Sequence, residues 1–383
     1  MGAIGGIFSY TASPLDPMLP VRMSRSMTLR GGEMRAAYIK KRTALLQNMT
    51  GQESRLSLPR PLTRTVNGYH YTVVADGMLR TTELSAEAEL LDAAEQTLEA
   101  YIAFGTDVAQ TLCGSFALAI LDERRSELLL LCGAESGKPL FFVNDREQLA
   151  FASELKALLR FFPDGIRIER ERLWDYLRAP AGSVSGASLY DRLSSLSPCT
   201  GAVCSAMGLS RFSYPPAPIL APTKAPSPIT PPLLIPEVPE LAGYLTDILF
   251  AFDYPQFDPW MPGVIQAAKQ SADTQSVAIG DPTLYIDLCY AAERADRLGA
   301  LCGTAIVPIP PQEYAPKERE LKKLDRALRE LLDATDLSLL VRLFGAERLQ
   351  QAQEERNLAK RIRLRGMLYQ TLLWAEHYPL VFI

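Results

Sequence analysis

Ten of the chain's 28 prolines fall between residues 215 and 239. Proline lacks the backbone N–H and fixes φ, so no regular helix or central strand runs through such a stretch. The segment reads as an extended linker that divides the 383 residues into two parts. Each part is long enough to bury its own core. Its PxxP-like spacing also fits an SH3-type ligand, but an interdomain spacer explains the composition more simply.

The formal net charge of −4 gives no general attraction to nucleic acid or to an anionic membrane surface. No apolar run reaches the roughly 20 residues of a membrane span. The first residues lack a basic region followed by a long apolar stretch, so no secretory signal is visible. Met1-Gly2 is followed by Gly6 where a myristoylation motif needs Ser or Thr. The six cysteines, Cys113, Cys132, Cys199, Cys204, Cys289 and Cys302, form no CxxC pair, and His70 and His377 are the two histidines. A zinc site is therefore not expected, and reduced thiols in a cytoplasmic protein are.

The part before the prolines reads as mixed α and β. Tyr71–Ala75, Phe116–Leu121, Leu128–Leu131 and Leu149–Ala152 are apolar runs of strand length. Pro139–Val143 and Leu149–Ala152 flank Asn144-Asp145, a hairpin turn signal. Leu84–Phe104 is rich in Ala, Glu and Leu and predicts a helix, and Leu155–Phe162 predicts a shorter one. Beyond the prolines, Leu321, Leu324, Leu328, Leu331 and Leu332 recur at helical spacing. Gln350–Tyr378 reads as one long terminal helix or two, with Arg356, Lys360, Arg361, Arg363 and Arg365 as a solvated basic face.

Three segments in order carry a specific pattern. They are Leu112–Glu123 (LCGSFALAILDE), Gly137–Phe142 (GKPLFF) and Phe151–Leu159 (FASELKALL). Arg30–Glu33 (RGGE) precedes them and Ser197–Gly201 (SPCTG) follows. This series resembles the class II glutamine amidotransferase domain of glutamine-dependent asparagine synthetases over residues 1 to about 210. After the linker, Phe252–Pro259 (FDYPQFDP) and Ser276–Tyr290 resemble two motifs of the synthetase half more faintly, through Asp253, Asp258, Gly280, Asp281 and Tyr290. The resemblance implies an α+β chain. Residues 1–210 would form the four-layer α/β/β/α sandwich of N-terminal-nucleophile hydrolases, 211–240 the linker, and 241–383 a reduced, mostly helical remnant of an ATP-pyrophosphatase domain.

The same resemblance shows what is missing. In that family the residue after the initiator Met is a cysteine whose thiol attacks the glutamine amide while its own α-amine handles the proton. Here Gly2 stands in that place. The family's Asn-Gly-Glu run supplies an oxyanion donor, a backbone N–H and an acid for the substrate ammonium. The matching positions are Asp76, Gly77 and Met78. An ionised Asp76 accepts rather than donates, and an oxyanion-hole donor contributes roughly 3–4 kcal/mol. The family's second acid for that ammonium falls at Ala93, and Arg42 is the loose match to the arginine that binds the substrate carboxylate.

The synthetase half needs a Ser-Gly-Gly-x-Asp-Ser loop to cradle pyrophosphate, and the sequence contains none. Gly133–Lys138 is glycine-rich, but Pro139 follows Lys138 where a phosphate loop needs Ser or Thr. Leu284 and Tyr285 occupy the places of carboxylates that would help hold magnesium. The expectation is a non-catalytic relative without a cofactor, acting with a protein partner or as a homo-oligomer in an amide-forming or peptide-tailoring pathway. Two other readings are an amide-forming enzyme using ATP and magnesium, and an amino-acid sensor using the relict glutamine pocket.

Overall fold

A computed structural model describes residues 2–11, 14–30, 34–49, 61–77, 79–81, 93–134, 138–179, 189–215, 228–229, 234–270, 276–280, 295, 297–299, 301–302, 305–309 and 318–383. The chain divides into two units, Met1–Pro163 with Arg192–Thr223 and Asp164–Asp191 with Lys224–Ile383. Residues 164–191, read from the sequence as part of the first domain, thus group with the second unit.

The first unit is built on two six-stranded antiparallel sheets. One has β1 (Ala3–Ser9), β2 (Met34–Lys40), β3 (Thr43–Met49), β10 (Phe141–Asn144), β11 (Gln148–Ala152) and β13 (Leu193–Ser195), with β1 central between β3 and β11. The other has β4 (Leu62–Val66), β5 (Tyr69–Gly77), β8 (Phe116–Asp122), β9 (Glu127–Cys132), β14 (Thr200–Ser205) and β15 (Gly208–Ser213). The short strands β6 (Arg80–Thr81) and β7 (Leu112–Cys113) pair with each other.

Side-chain alternation along β8 makes the layers. Ala117, Ala119 and Leu121 face the first sheet and share a core with Ile4, Phe8, Leu45 and Phe151. Phe116, Leu118 and Ile120 face the other way and pack with Leu98 and Tyr101 of α2 (Ala93–Phe104) and with Val108. On the outer face of the first sheet lie α1 (Met18–Ser26) and the 3-10 helix Leu155–Phe161. Asn48 of β3 ties α1 down by donating to the Ser24 and Met27 carbonyls at 2.8 and 3.2 Å. The order is helix, sheet, sheet, helix, the expected four-layer sandwich.

The hairpin forms where its turn signal stands. Asp145 N–H donates to the Gln148 carbonyl at 3.0 Å, and the Asp145 carboxylate accepts from the amides of Glu147 and Gln148. The helix expected over Leu84–Phe104 is α2 from Ala93 on, and residues 82–92 lie outside the described residues.

The second unit holds α3 (Arg170–Arg178), α4 (Val238–Phe252), α5 (Met261–Gln270), α6 (Glu318–Asp333), α7 (Ser338–Phe344), α8 (Ala346–Gln353) and α9 (Leu358–His377). Pro239 sits in the first turn of α4, where its missing N–H costs nothing. Leu324, Leu328, Leu331 and Leu332 are the buried stripe of α6, as the leucine spacing predicts. The terminal helical run is two helices, and Asn357 opens the second by accepting from Lys360 N–H at 3.0 Å.

This unit also carries sheet that the helical reading did not include. β16 (Pro228–Ile229), β17 (Ser276–Gly280) and β18 (Ala305–Ile309) form a parallel three-stranded sheet. Two residues of the proline-rich segment thus form a strand. Pro228 is tolerated because β16 is an edge. The short strands β12 (Ile166–Ile168) and β19 (Leu380–Phe382) pair in parallel.

Candidate functional site

The centre of the first unit's candidate site is a buried carboxylate. β1 is the middle of one sheet and Gly2 is the residue just before it. β5 belongs to the other sheet and Asp76 is its penultimate residue. The Gly2 N–H donates to Asp76 Oδ1 at 3.2 Å and spans the two layers. Gln47 of β3 makes a second link beside it, its side-chain amide donating to the Ala75 carbonyl at 3.1 Å.

Two cations flank Asp76. Arg30 Nη1 lies 3.3 Å from Oδ2, and Lys138 Nζ lies 3.2 Å from Oδ1. Asp76, Arg30 and Lys138 are 2%, 3% and 7% exposed, so this is a desolvated three-ion cluster. Burial at that depth requires pairing, because an isolated buried ion costs several kcal/mol.

The segments that carry the sequence resemblance build this arrangement. Glu154, in the FASELKALL stretch, is 4% exposed and accepts from the amides of Leu29 and Arg30 at 3.3 and 2.9 Å. It also pairs with Lys156 at 3.1 Å. Glu154 thereby fixes the backbone from which Arg30 reaches Asp76. Ser153 Oγ accepts from Ile4 N–H at 3.0 Å and holds the start of β1. Gly77 has φ of +110°, and a Cβ there would lie 2.1 Å from the Ser115 carbonyl oxygen. Only glycine fits that backbone and that approach.

Gly2, Asp76 and Gly77 lie together in the structure, while Arg42 does not join them. Ala3 pairs with Asn48 at one end of the β1–β3 ladder, and Phe8 pairs with Thr43 at the other. Arg42 precedes Thr43, so it stands roughly 23 Å along the strands from Gly2. Its assignment to the glutamine pocket is corrected on that ground. Ala93 begins α2, whose Ala94, Leu98 and Tyr101 pack on the second sheet. Met78 lies outside the described residues. Arg30 and Lys138 are the site residues to which the sequence reading gave no role. Both sit in the matched segments RGGE and GKPLFF, which was the available signal.

Cys132, Cys199, Cys204 and Cys302 are not activated as nucleophiles. Burial pushes Cys132 up to about 12, and its Sγ faces the Lys138 carbonyl at 3.8 Å. Burial likewise raises Cys302 to about 12 and Cys204 to about 11, and it raises Cys199 above its ordinary value. A nucleophilic cysteine needs the opposite shift.

In the second unit the acidic residues Asp253 and Asp258 are buried and hydrogen-bonded. Asp253 is 1% exposed, caps α4 at φ +62°, and accepts from the Tyr378 hydroxyl at 2.7 Å. Asp258 is 4% exposed, and its carboxylate accepts from Trp260 N–H at 3.1 Å. Gly280 ends β17, and Asp281 lies outside the described residues. The basic run of α9 is not a solvated face throughout. Arg363 and Arg365 are buried. Arg365 and Arg361 converge on Asp325, and Arg363 donates to the Leu177 and Ala179 carbonyls. Among the described residues no group of three or more His, Cys, Asp or Glu is placed to hold a metal ion. No described helix is long and apolar enough to cross a membrane.

A model of the glutamine amidotransferase domain matches residues 1–214. Asparagine synthetase [glutamine-hydrolyzing] 3 of Bacillus subtilis (strain 168) is similar at 26% identity over 208 residues, covering 50% of this chain and 33% of that protein. The matched region thus spans about a third of that relative's length. Among solved structures, an allosteric regulatory enzyme of purine biosynthesis is similar with a TM-score of 0.42 at 14% identity, covering 82% of this chain and 67% of that one. Glutamine phosphoribosylpyrophosphate amidotransferase from B. subtilis, complexed with ADP and GMP, gives 0.39 at 13% identity, covering 87% of this chain and 70% of that one.

Proposed function

This chain belongs to the glutamine amidotransferase domain family, with an asparagine synthetase-like amidotransferase domain over its first 214 residues, and on that premise we propose that it is a non-catalytic member whose fold is kept for binding a protein partner. The observation that carries the reading is the Gly2–Asp76 contact inside the Arg30–Lys138 cluster. Glycine brings no nucleophile to that place, and the neighbouring carboxylate is paired with two buried cations. Negative charge developing on a substrate oxygen would meet Asp76 rather than a donor.

The synthetase half supports the same reading. The sequence has no pyrophosphate cradle. Asp253 and Asp258 are buried and hydrogen-bonded within the fold, which does not suit them to hold magnesium. The partner we infer is an amide-forming or peptide-tailoring enzyme, or a second copy of this chain, in the cytoplasm.

The test is a pair of measurements on the purified full-length protein. Ammonia release from glutamine is expected to stay at background, and calorimetry with ATP and magnesium is expected to show no heat at millimolar ligand. Affinity capture at native abundance is expected to bring down one stoichiometric enzyme or self-associated chain. Glutamine hydrolysis that survives replacement of each cysteine, or capture that brings down nothing, would overturn the reading.

A further inference from the structure

Arg42, left out of the Gly2 site, lines a different cavity. At the opposite end of the sandwich a hollow of about 190 Å3 is bounded by Phe8, Lys40, Lys41, Arg42, Thr43, Leu121, Glu123 and Ser126. Three consecutive cations from the β2–β3 turn face one carboxylate from the end of β8. Glu123 is already committed, since Tyr38 and Lys40 both donate to it. Those bonds outweigh the effect of its burial and hold its carboxyl below the ordinary range. Neither Lys41 nor Arg42 has an ion-pair partner among the described residues. The turn that carries them is pinned from outside. Leu15 N–H donates to the Lys41 carbonyl and Ser9 N–H to the Arg42 carbonyl, both at 2.9 Å. Lys41 is held at φ +30° by these contacts.

We propose that this hollow is a binding site for a small oxyanion, a phosphate or a carboxylate, seated on Lys41 and Arg42 above the Phe8 and Leu121 side chains. The charge balance of the lining is positive by two. Arg presents a planar fork suited to two oxygens of one anion, and Lys adds a point charge. The volume lies below the ~300–1,000 Å3 of sites for drug-sized ligands, which favours an ion or a short acid over a nucleotide. The inference is independent of the non-catalytic reading, because nothing in it uses Gly2 or Asp76.

The experiment is calorimetry of the full-length protein with inorganic phosphate and, in a second arm, with succinate, chloride holding ionic strength constant. Saturable binding of either is expected, and the arm that binds tighter identifies the chemistry. K41Q/R42Q, two changes at an exposed turn, should weaken it at least tenfold. E123Q removes the competing anion and should tighten it about threefold or more, since it also releases Lys40. Heats equal to chloride in both arms, unchanged affinity in K41Q/R42Q, or unchanged affinity in E123Q would overturn the proposal.

Discussion

The Gly2 N–H and the Asp76 carboxylate, one from each sheet of the sandwich, meet at 3.2 Å. Arg30 and Lys138 approach the same carboxylate at 3.3 and 3.2 Å. These separations exceed the usual ~2.7–2.9 Å of charge-assisted bonds, so the cluster is held by charge balance more than by tight hydrogen bonding. Asp76→Asn keeps the shape and removes the negative charge that Arg30 and Lys138 share. Stability should fall by about 3–5 kcal/mol, read as a lower urea midpoint at unchanged slope. A loss under about 1 kcal/mol would mean that solvent or another group neutralises Arg30 and Lys138.

Gly77 and Gly208 separate crowding from backbone strain. Both have positive φ, +110° and +105°, but only Gly77 has a backbone oxygen 2.1 Å from where a Cβ would lie. Gly208→Ala should cost about 1 kcal/mol, the conformational term alone. Gly77→Ala should cost more by at least about 1–3 kcal/mol, because Ser115 and Phe116 cannot yield without moving β8. Equal losses in paired denaturation curves would show that the loop before β8 is free to shift.

Local features of the fold were legible in the sequence because their causes are local. Alternation in Phe116–Leu121 sorts side chains to two faces, and Asn144-Asp145 makes its own turn bonds. The Asp76 cluster was only half legible. Asp76 was visible as a charge change, but its cation Arg30 lies 46 residues away and is aimed by Glu154, a further 124 residues on. Arg42 was misplaced because a loose spacing match says nothing about which end of a ladder a residue occupies. Arg363 and Arg365 read as surface because burial of an arginine depends on distant acceptors, here Asp325 and the Leu177 and Ala179 carbonyls. The β16–β17–β18 sheet was missed because proline argues against a strand except at an edge, and edges are set by tertiary pairing.

Alkaline pH should weaken the fold through its buried thiols. Cys132 keeps its proton to about 12 when folded, against an ordinary value of 9.0. A folded pKa raised in this way means that the unfolded chain loses the proton first. Stability is therefore full below about pH 9 and falls as pH rises towards 12. Cys302 and Cys204 act in the same direction. The slope from Cys132 alone is at most about 1.4 kcal/mol per pH unit. Urea midpoints between pH 8 and 10.5 should fall more steeply in the wild type than in Cys132→Ala. Parallel slopes would mean that the thiol is not sealed.

Restoring the missing sulfur should not restore glutamine hydrolysis. In Gly2→Cys a thiol would stand where the family's nucleophile does, yet every other group nearby would remain as it is here. The Asp76 carboxylate, paired with Arg30 and Lys138, would lie beside it. The tetrahedral oxyanion would then lack a donor that elsewhere contributes about 10²–10³-fold in rate, and would face repulsion in its place. Met78 and Ala93 would offer no carboxylate to the substrate ammonium. Ammonia release at saturating glutamine is expected to match background for both wild type and Gly2→Cys. Mass spectrometry would verify the processed terminus, and alkylation would verify that the new thiol is present. A rate clearly above background in Gly2→Cys would place the whole block at one side chain and clear the Asp76 carboxylate of any part in it.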